Sequence, residues 1–113
     1  ELTTTGTTTV AELKGGDVRT FEVAPEDAGL ARVTLADLKG GDAAHNAAAI
    51  RAVLAGAQGP FRDIVLLNAA AALVVAGIAK DLGDGIGRAA RSIDTGAAAT
   101  ALSRLVSVTT SAS

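Results

Sequence analysis

The chain has no cysteine, methionine, tryptophan or tyrosine, only two phenylalanines and two prolines, and a single histidine. Without cysteine there is no disulfide, no thiol nucleophile and no thiolate metal site. With His45 alone, no histidine pair and no two-histidine metal site can form within these residues. The aromatic content is reduced to Phe21 and Phe61, so the 49% hydrophobic fraction is mostly alanine and aliphatic residues. Small side chains each remove little area from water, at about 25 cal/mol per Å². An alanine-rich core therefore needs close backbone approach or a neighbouring domain, which points to a chain that does not stand alone. The first residue is Glu1 and no methionine follows anywhere, so the chain is expected to begin inside a longer polypeptide. No basic and apolar leader follows it.

Neither sign of charge is in marked excess. Ten basic and twelve acidic residues leave a net charge of −2, and the lysines and arginines are scattered singly. There is no basic stripe to track a phosphate backbone, so nucleic acid is not an expected partner. The longest apolar run, Ile64 to Ala79, has 16 residues and is interrupted by Asn68. A bilayer span takes about 20 residues, so this run reads as a buried helix and no membrane is expected.

What is present reads as a hairpin and about four helices in a segment of 113 residues. The hairpin is predicted over about 8–24, turning at Gly15-Gly16, because a two-residue primed turn needs positive φ at both positions. Counting outward from Lys14 and Asp17 sets Leu13 opposite Val18, Glu12 opposite Arg19 and Val10 opposite Phe21. Pro25 and Gly29 end the second strand, and a loop runs to Gly40-Gly41. Helices are predicted over about 43–55, 62–79, 82–94 and 96–106, with a polar tail fraying from Ser107. Asp42 and Asp81 stand where N-caps belong, and Asp84 has capping-box spacing from Asp81. The second helix is apolar nearly all round, as in a helix central to a larger protein.

Few residues invite chemistry. His45 falls in the first turn of a helix and reads as a solvated residue. Gly83, Gly85 and Gly87 lack the spacing and the preceding strand of a phosphate loop, and read as a weak helix start that packs closely. Gly40-Gly41-Asp42 could offer backbone donors to an anion, but the Asp42 carboxylate covers them. Asn68, in mid-helix among aliphatics, needs a hydrogen-bond partner and reads as a clamp on neighbouring backbone. The carboxylate pairs Glu26-Asp27 and Asp81/Asp84 suit loops and caps, and no spacing links a serine and an aspartate to His45.

Residues 35 to 82 carry the segments Gly40-Gly41-Asp42, Asn46-Ala47-Ala48, Gly56 to Pro60, and Arg62 to Ala70, RDIVLLNAA. Ile93-Asp94-Thr95-Gly96-Ala97-Ala98 follows, and Thr7 to Leu13 and Pro25 to Leu30 precede. In this order they resemble the C-terminal region of the anthranilate phosphoribosyltransferases across nearly the whole chain. The resemblance implies an α/β fold in which residues 1–113 form the C-terminal section of a larger phosphoribosyltransferase/nucleoside-phosphorylase-like domain, the N-terminal helical domain lying outside the segment. It implies transfer of a phosphoribosyl group from phosphoribosyl pyrophosphate to the amine of anthranilate, in tryptophan biosynthesis, in the cytoplasm, by a homodimer using Mg²⁺. The family's glycine-rich G-T-G-G-D loop, its K-H-G-N segment, its N-x-S-x-x-S motif and its anthranilate-side arginine have no counterpart here. The segment alone is therefore expected to be inactive, with no catalytic or substrate-binding residue of its own. One site residue is implied: the family's Asp-Glu pair before a threonine-rich stretch holds magnesium, and Leu2 to Gly6 match that stretch, making Glu1 the metal-binding glutamate. An ordinary terminal glutamate is the alternative. Other readings of the whole are a non-enzymatic interaction fragment and a pyrimidine nucleoside phosphorylase-like relative.

Overall fold

The computed structural model describes residues 1–111. Strands β1 (Thr8–Lys14) and β2 (Asp17–Val23) form an antiparallel hairpin. Gly15 and Gly16 have φ of 60° and 85°, the left-handed values that make this turn. The register pairs Leu13 with Val18, Glu12 with Arg19 and Val10 with Phe21, as the count from the turn requires. Side chains alternate across the sheet, so these pairs do not all share a face. Val10 and Phe21 line a cleft together with Leu2, Ala71 and Val74, whereas Leu13 and Val18 remain 72% and 68% exposed. On the inner face Arg19 bonds Glu12 at 2.9 Å and lies over the Phe21 ring at 4.9 Å.

Between hairpin and helices the predicted loop contains two 3-10 turns, Pro25–Ala28 and Leu35–Leu38. In each an aspartate three residues on accepts from the preceding backbone N–H: Ala24 to Asp27 and Thr34 to Asp37, both at 2.8 Å. Four helices follow: α1 (Ala43–Leu54), α2 (Pro60–Val75), α3 (Leu82–Asp94) and α4 (Ala97–Ser111). Asp42 caps α1 through His45 N–H at 2.8 Å, and Asp81 caps α3 through Asp84 N–H at 2.8 Å. The return bond from Asp84 goes to Lys80 N–H at 3.0 Å, one residue before the N-cap.

Two helices differ in extent from the expected ones. α2 is not 62–79 but Pro60–Val75. It starts earlier because Pro60 occupies the first position, where its fixed φ fits and a missing N–H costs nothing. It stops earlier because Gly77, at φ 74°, closes a Schellman turn in which Ile78 N–H reaches Leu73 O and Gly77 N–H reaches Val74 O, each at 3.0 Å. α4 does not fray from Ser107 but continues to Ser111. No glycine or proline interrupts it, and Thr109 and Thr110 hydroxyls bond back to Leu105 and Val106 carbonyls at 2.8 and 2.7 Å.

The helices meet on a small core of Val53, Leu66, Ala89 and Ile93, with Phe61 and Ile86 against it. Contact is most extensive between α2 and α3, where alanine and glycine face each other. Leu67 and Ala70 are fully buried, yet Val65 and Val75 on the same helix are 45% and 89% exposed. The structure is open: its radius of gyration is 15.5 Å, against about 13 Å for a compact domain of this length. Its accessible surface is 7305 Å², against about 5,700 Å² for a self-contained monomer of this mass. Much of the apolar surface that the composition supplies is thus left uncovered.

Candidate functional site

The amino-terminal residues lie on α2 because one side chain in that helix holds their backbone. Leu2 N–H donates to Asn68 Oδ1 at 2.8 Å, and Asn68 Nδ2 donates to the Leu2 carbonyl at 2.9 Å. The other Nδ2 hydrogen goes to the Ile64 carbonyl, one turn back, at 3.0 Å. Both amide hydrogens and the oxygen are used, so the orientation of the amide is determined by its partners.

The threonines continue the tie. Thr3 N–H donates to Thr8 Oγ1 at 3.1 Å, the Thr3 and Thr5 hydroxyls share a bond of 2.8 Å, and Val33 N–H donates to the Thr4 carbonyl at 3.0 Å. Thr4 is fully buried, and its hydroxyl is without a hydrogen-bond partner among the described residues. At the end of this anchored segment stands Glu1, exposed. Among the described residues no three histidine, cysteine, aspartate or glutamate side chains gather as a metal centre. A lone carboxylate does not suit zinc, which takes three or four protein ligands. It does suit Mg²⁺, which takes one or two carboxylates and fills the rest of its shell with water and phosphate oxygen.

The remaining candidates are structural. His45 is exposed beside its cap. Glu26 forms an ion pair with Arg32 at 2.9 Å, and the Arg32 hydrogen bond holds the Glu26 carboxyl below its ordinary pKa. Lys80 N–H, then Arg88, hold the Asp84 carboxyl below its ordinary value. Gly85 packs against the Ala70 backbone, and Gly87 faces open space. A concavity of about 770 Å³ lies among α2, α3 and α4 and is lined by aliphatic residues with Arg88, Arg91, Ser92 and Thr95. No carboxylate or histidine lines it, so it contains no acid–base pair.

Two arrangements were not legible in the sequence. Asn46 Oδ1 accepts from Gly41 N–H at 2.9 Å and its Nδ2 donates to the Gly41 carbonyl at 3.1 Å, the same two-bond grip that Asn68 has on Leu2. Arg62, at the head of the RDIVLLNAA run, holds both oxygens of Asp94 at 2.9 and 3.0 Å. The Arg62 side chain is 6% exposed and that of Asp94 53%. Their shared hydrogen bonds raise the Arg62 pKa and lower that of Asp94. The motif residues Asn46, Arg62 and Asp94 thus join segments to one another; their spacing alone does not reveal the partners.

The family described as the glycosyl transferase family, a/b domain, matches residues 1–99. The chain belongs to that family. Within it, an anthranilate phosphoribosyltransferase of Parvibaculum lavamentivorans is 62% identical over 109 residues, 96% of this chain and 32% of its own length. A protein of the same name from Rhodopseudomonas palustris is 58% identical over 112 residues, 99% of this chain and 33% of its own. One from Paramagnetospirillum magneticum is 61% identical over 109 residues, 96% of this chain and 32% of its own. The resemblance drawn from the motifs is borne out across nearly the whole chain. The chain spans about a third of the length of these curated relatives. A two-stranded hairpin followed by four helices is the α/β arrangement expected for a section of this family's domain.

Proposed function

We propose that this segment is the C-terminal portion of an anthranilate phosphoribosyltransferase, a cytoplasmic homodimer of tryptophan biosynthesis. The whole protein would transfer the phosphoribosyl group of phosphoribosyl pyrophosphate to the anthranilate amine and release pyrophosphate. The observation that carries the reading is an identity of 62% to a protein of that name, extending over 96% of the chain. No helix among the described residues is long and apolar enough to cross a membrane.

In this reading Glu1 supplies a carboxylate oxygen to Mg²⁺. The bound ion would offset the charge that gathers on the departing pyrophosphate. The chain's own contribution is support: α2 carries the amino-terminal segment, and the Thr3–Thr8 and Val33–Thr4 bonds keep that segment in place. Acid–base groups and the binding of both substrates belong to the rest of the polypeptide.

The test is loss of anthranilate fluorescence with phosphoribosyl pyrophosphate and Mg²⁺. The full-length polypeptide carrying this segment is expected to consume anthranilate, and residues 1–113 alone to leave it unchanged. A full-length protein that ignores anthranilate overturns the acceptor. Turnover by residues 1–113 alone overturns the placement of the machinery outside them. The exposed Val65, Val75 and Ile78 favour one second reading, a non-enzymatic interaction segment. It predicts a stable association of residues 1–113 with a partner and no role in turnover.

A further inference from the structure

We propose that Asn68 is a positioning residue for the metal, aiming the Glu1 carboxylate through the backbone of Leu2. This rests on the reading of Glu1 as a magnesium ligand. Glu1 is joined to Leu2, whose backbone N–H and carbonyl are both held by a single side chain from α2, at 2.8 and 2.9 Å. The burial of the Leu2 side chain would keep the segment near α2 but would let it slide or pivot. Two directional bonds to one amide remove that freedom and set the direction in which the chain arrives at residue 1.

The amide is itself immobilised. Its third bond ties it to the Ile64 carbonyl, and its neighbours Leu67 and Ala70 are fully buried. A metal ligand has to be held to within about 0.5 Å, and helices provide that support better than loops. Packing alone would have been served by an aliphatic residue at position 68. The amide supplies orientation, which an aliphatic residue cannot.

The test uses the full-length polypeptide and Mn²⁺ as the probe, with affinity in the presence of phosphoribosyl pyrophosphate read by electron paramagnetic resonance. Glu1→Gln is expected to weaken Mn²⁺ binding. Asn68→Ala and the milder Asn68→Ser are expected to weaken it about tenfold, the lower end of the loss seen when groups supporting a metal ligand are removed. The Leu2 amide should exchange its hydrogen faster in both Asn68 variants. Glu1→Gln combined with Asn68→Ala should bind no more weakly than Glu1→Gln alone. Ile93→Val, a core change on α3, is expected to lower the melting temperature and leave Mn²⁺ affinity within about twofold, as a packing change should. If Glu1→Gln weakens binding and neither Asn68 variant does, the positioning role is overturned while the metal reading survives. If Glu1→Gln leaves Mn²⁺ affinity unchanged, the metal reading falls and the role of Asn68 falls with it.

Discussion

Gly85 of α3 lies against Ala70 of α2 so closely that a Cβ on Gly85 would stand 2.7 Å from the Ala70 Cα and 2.9 Å from its carbonyl oxygen. The two helices approach backbone to backbone there, which is how a chain almost without aromatic residues closes its main helix interface. Small residues admit the approach, and dispersion attraction between the two backbones along the crossing replaces what larger side chains would have contributed.

Gly85→Ala and Gly87→Ala should therefore act in opposite directions. Both positions are helical, and alanine in a helix interior is favoured over glycine by about 1 kcal/mol. At Gly87, where an added Cβ meets nothing within 4 Å, the variant should be more stable by roughly 0.5–1 kcal/mol. At Gly85 the Cβ meets backbone that cannot step aside, and overpacking should cost about 1–3 kcal/mol. Urea unfolding of the two variants beside the parent checks the signs.

The Arg62–Asp94 pair should make part of the stability depend on acid pH. The Asp94 carboxyl is held below its ordinary value by the Arg62 hydrogen bonds. A lowered folded pKa means that the pair's contribution is fully present above the unfolded value, about 3.9. It is lost as pH falls through the lowered folded value. Asp94→Asn should melt below the parent by a constant margin between about pH 5 and 8. The two melting curves should converge as pH is taken below about 3.9. A margin that stays constant in acid would assign the loss to packing instead.

Thr4 offers a case in which removing a polar group should help. Its hydroxyl is buried without a partner among the described residues, and leaving such a group unsatisfied costs about 1–3 kcal/mol. Thr4→Val keeps the shape and removes the hydroxyl, so it should be neutral or stabilising by up to about 1 kcal/mol. Thr4→Ala, which leaves a void in the same place, should destabilise. Thermal melts of the pair separate the hydroxyl from the methyl group.

Asp42→Ala should weaken the start of α1 by about 1 kcal/mol, because His45 N–H loses its acceptor. Asp42→Asn should retain most of the stability. Hydrogen exchange in the first turn of α1 reads the difference directly.

The hairpin and its register were readable from local residues, since Gly15-Gly16 and the alternating residues around them act within a few positions of one another. So were the helix starts at Asp42 and Asp81, where a carboxylate reaches a backbone N–H three residues on. Family membership was legible in the same way, from contiguous runs such as Arg62 to Ala70. The glycine-closed end of α2 and the length of α4 were less legible, because they depend on whether a left-handed turn or a run of back-bonding hydroxyls prevails. For the candidate site, the proposal of Glu1 as a metal ligand comes only from the resemblance, and the need of Asn68 for a partner was plain while the partner was not. Only the tertiary structure brought Asn68 to Leu2 and Arg62 to Asp94, pairs separated by 66 and 32 residues. Turn chemistry and hydrophobic period are local, whereas these pairings depend on how helices cross, and the crossing is decided by which small residues let two backbones approach.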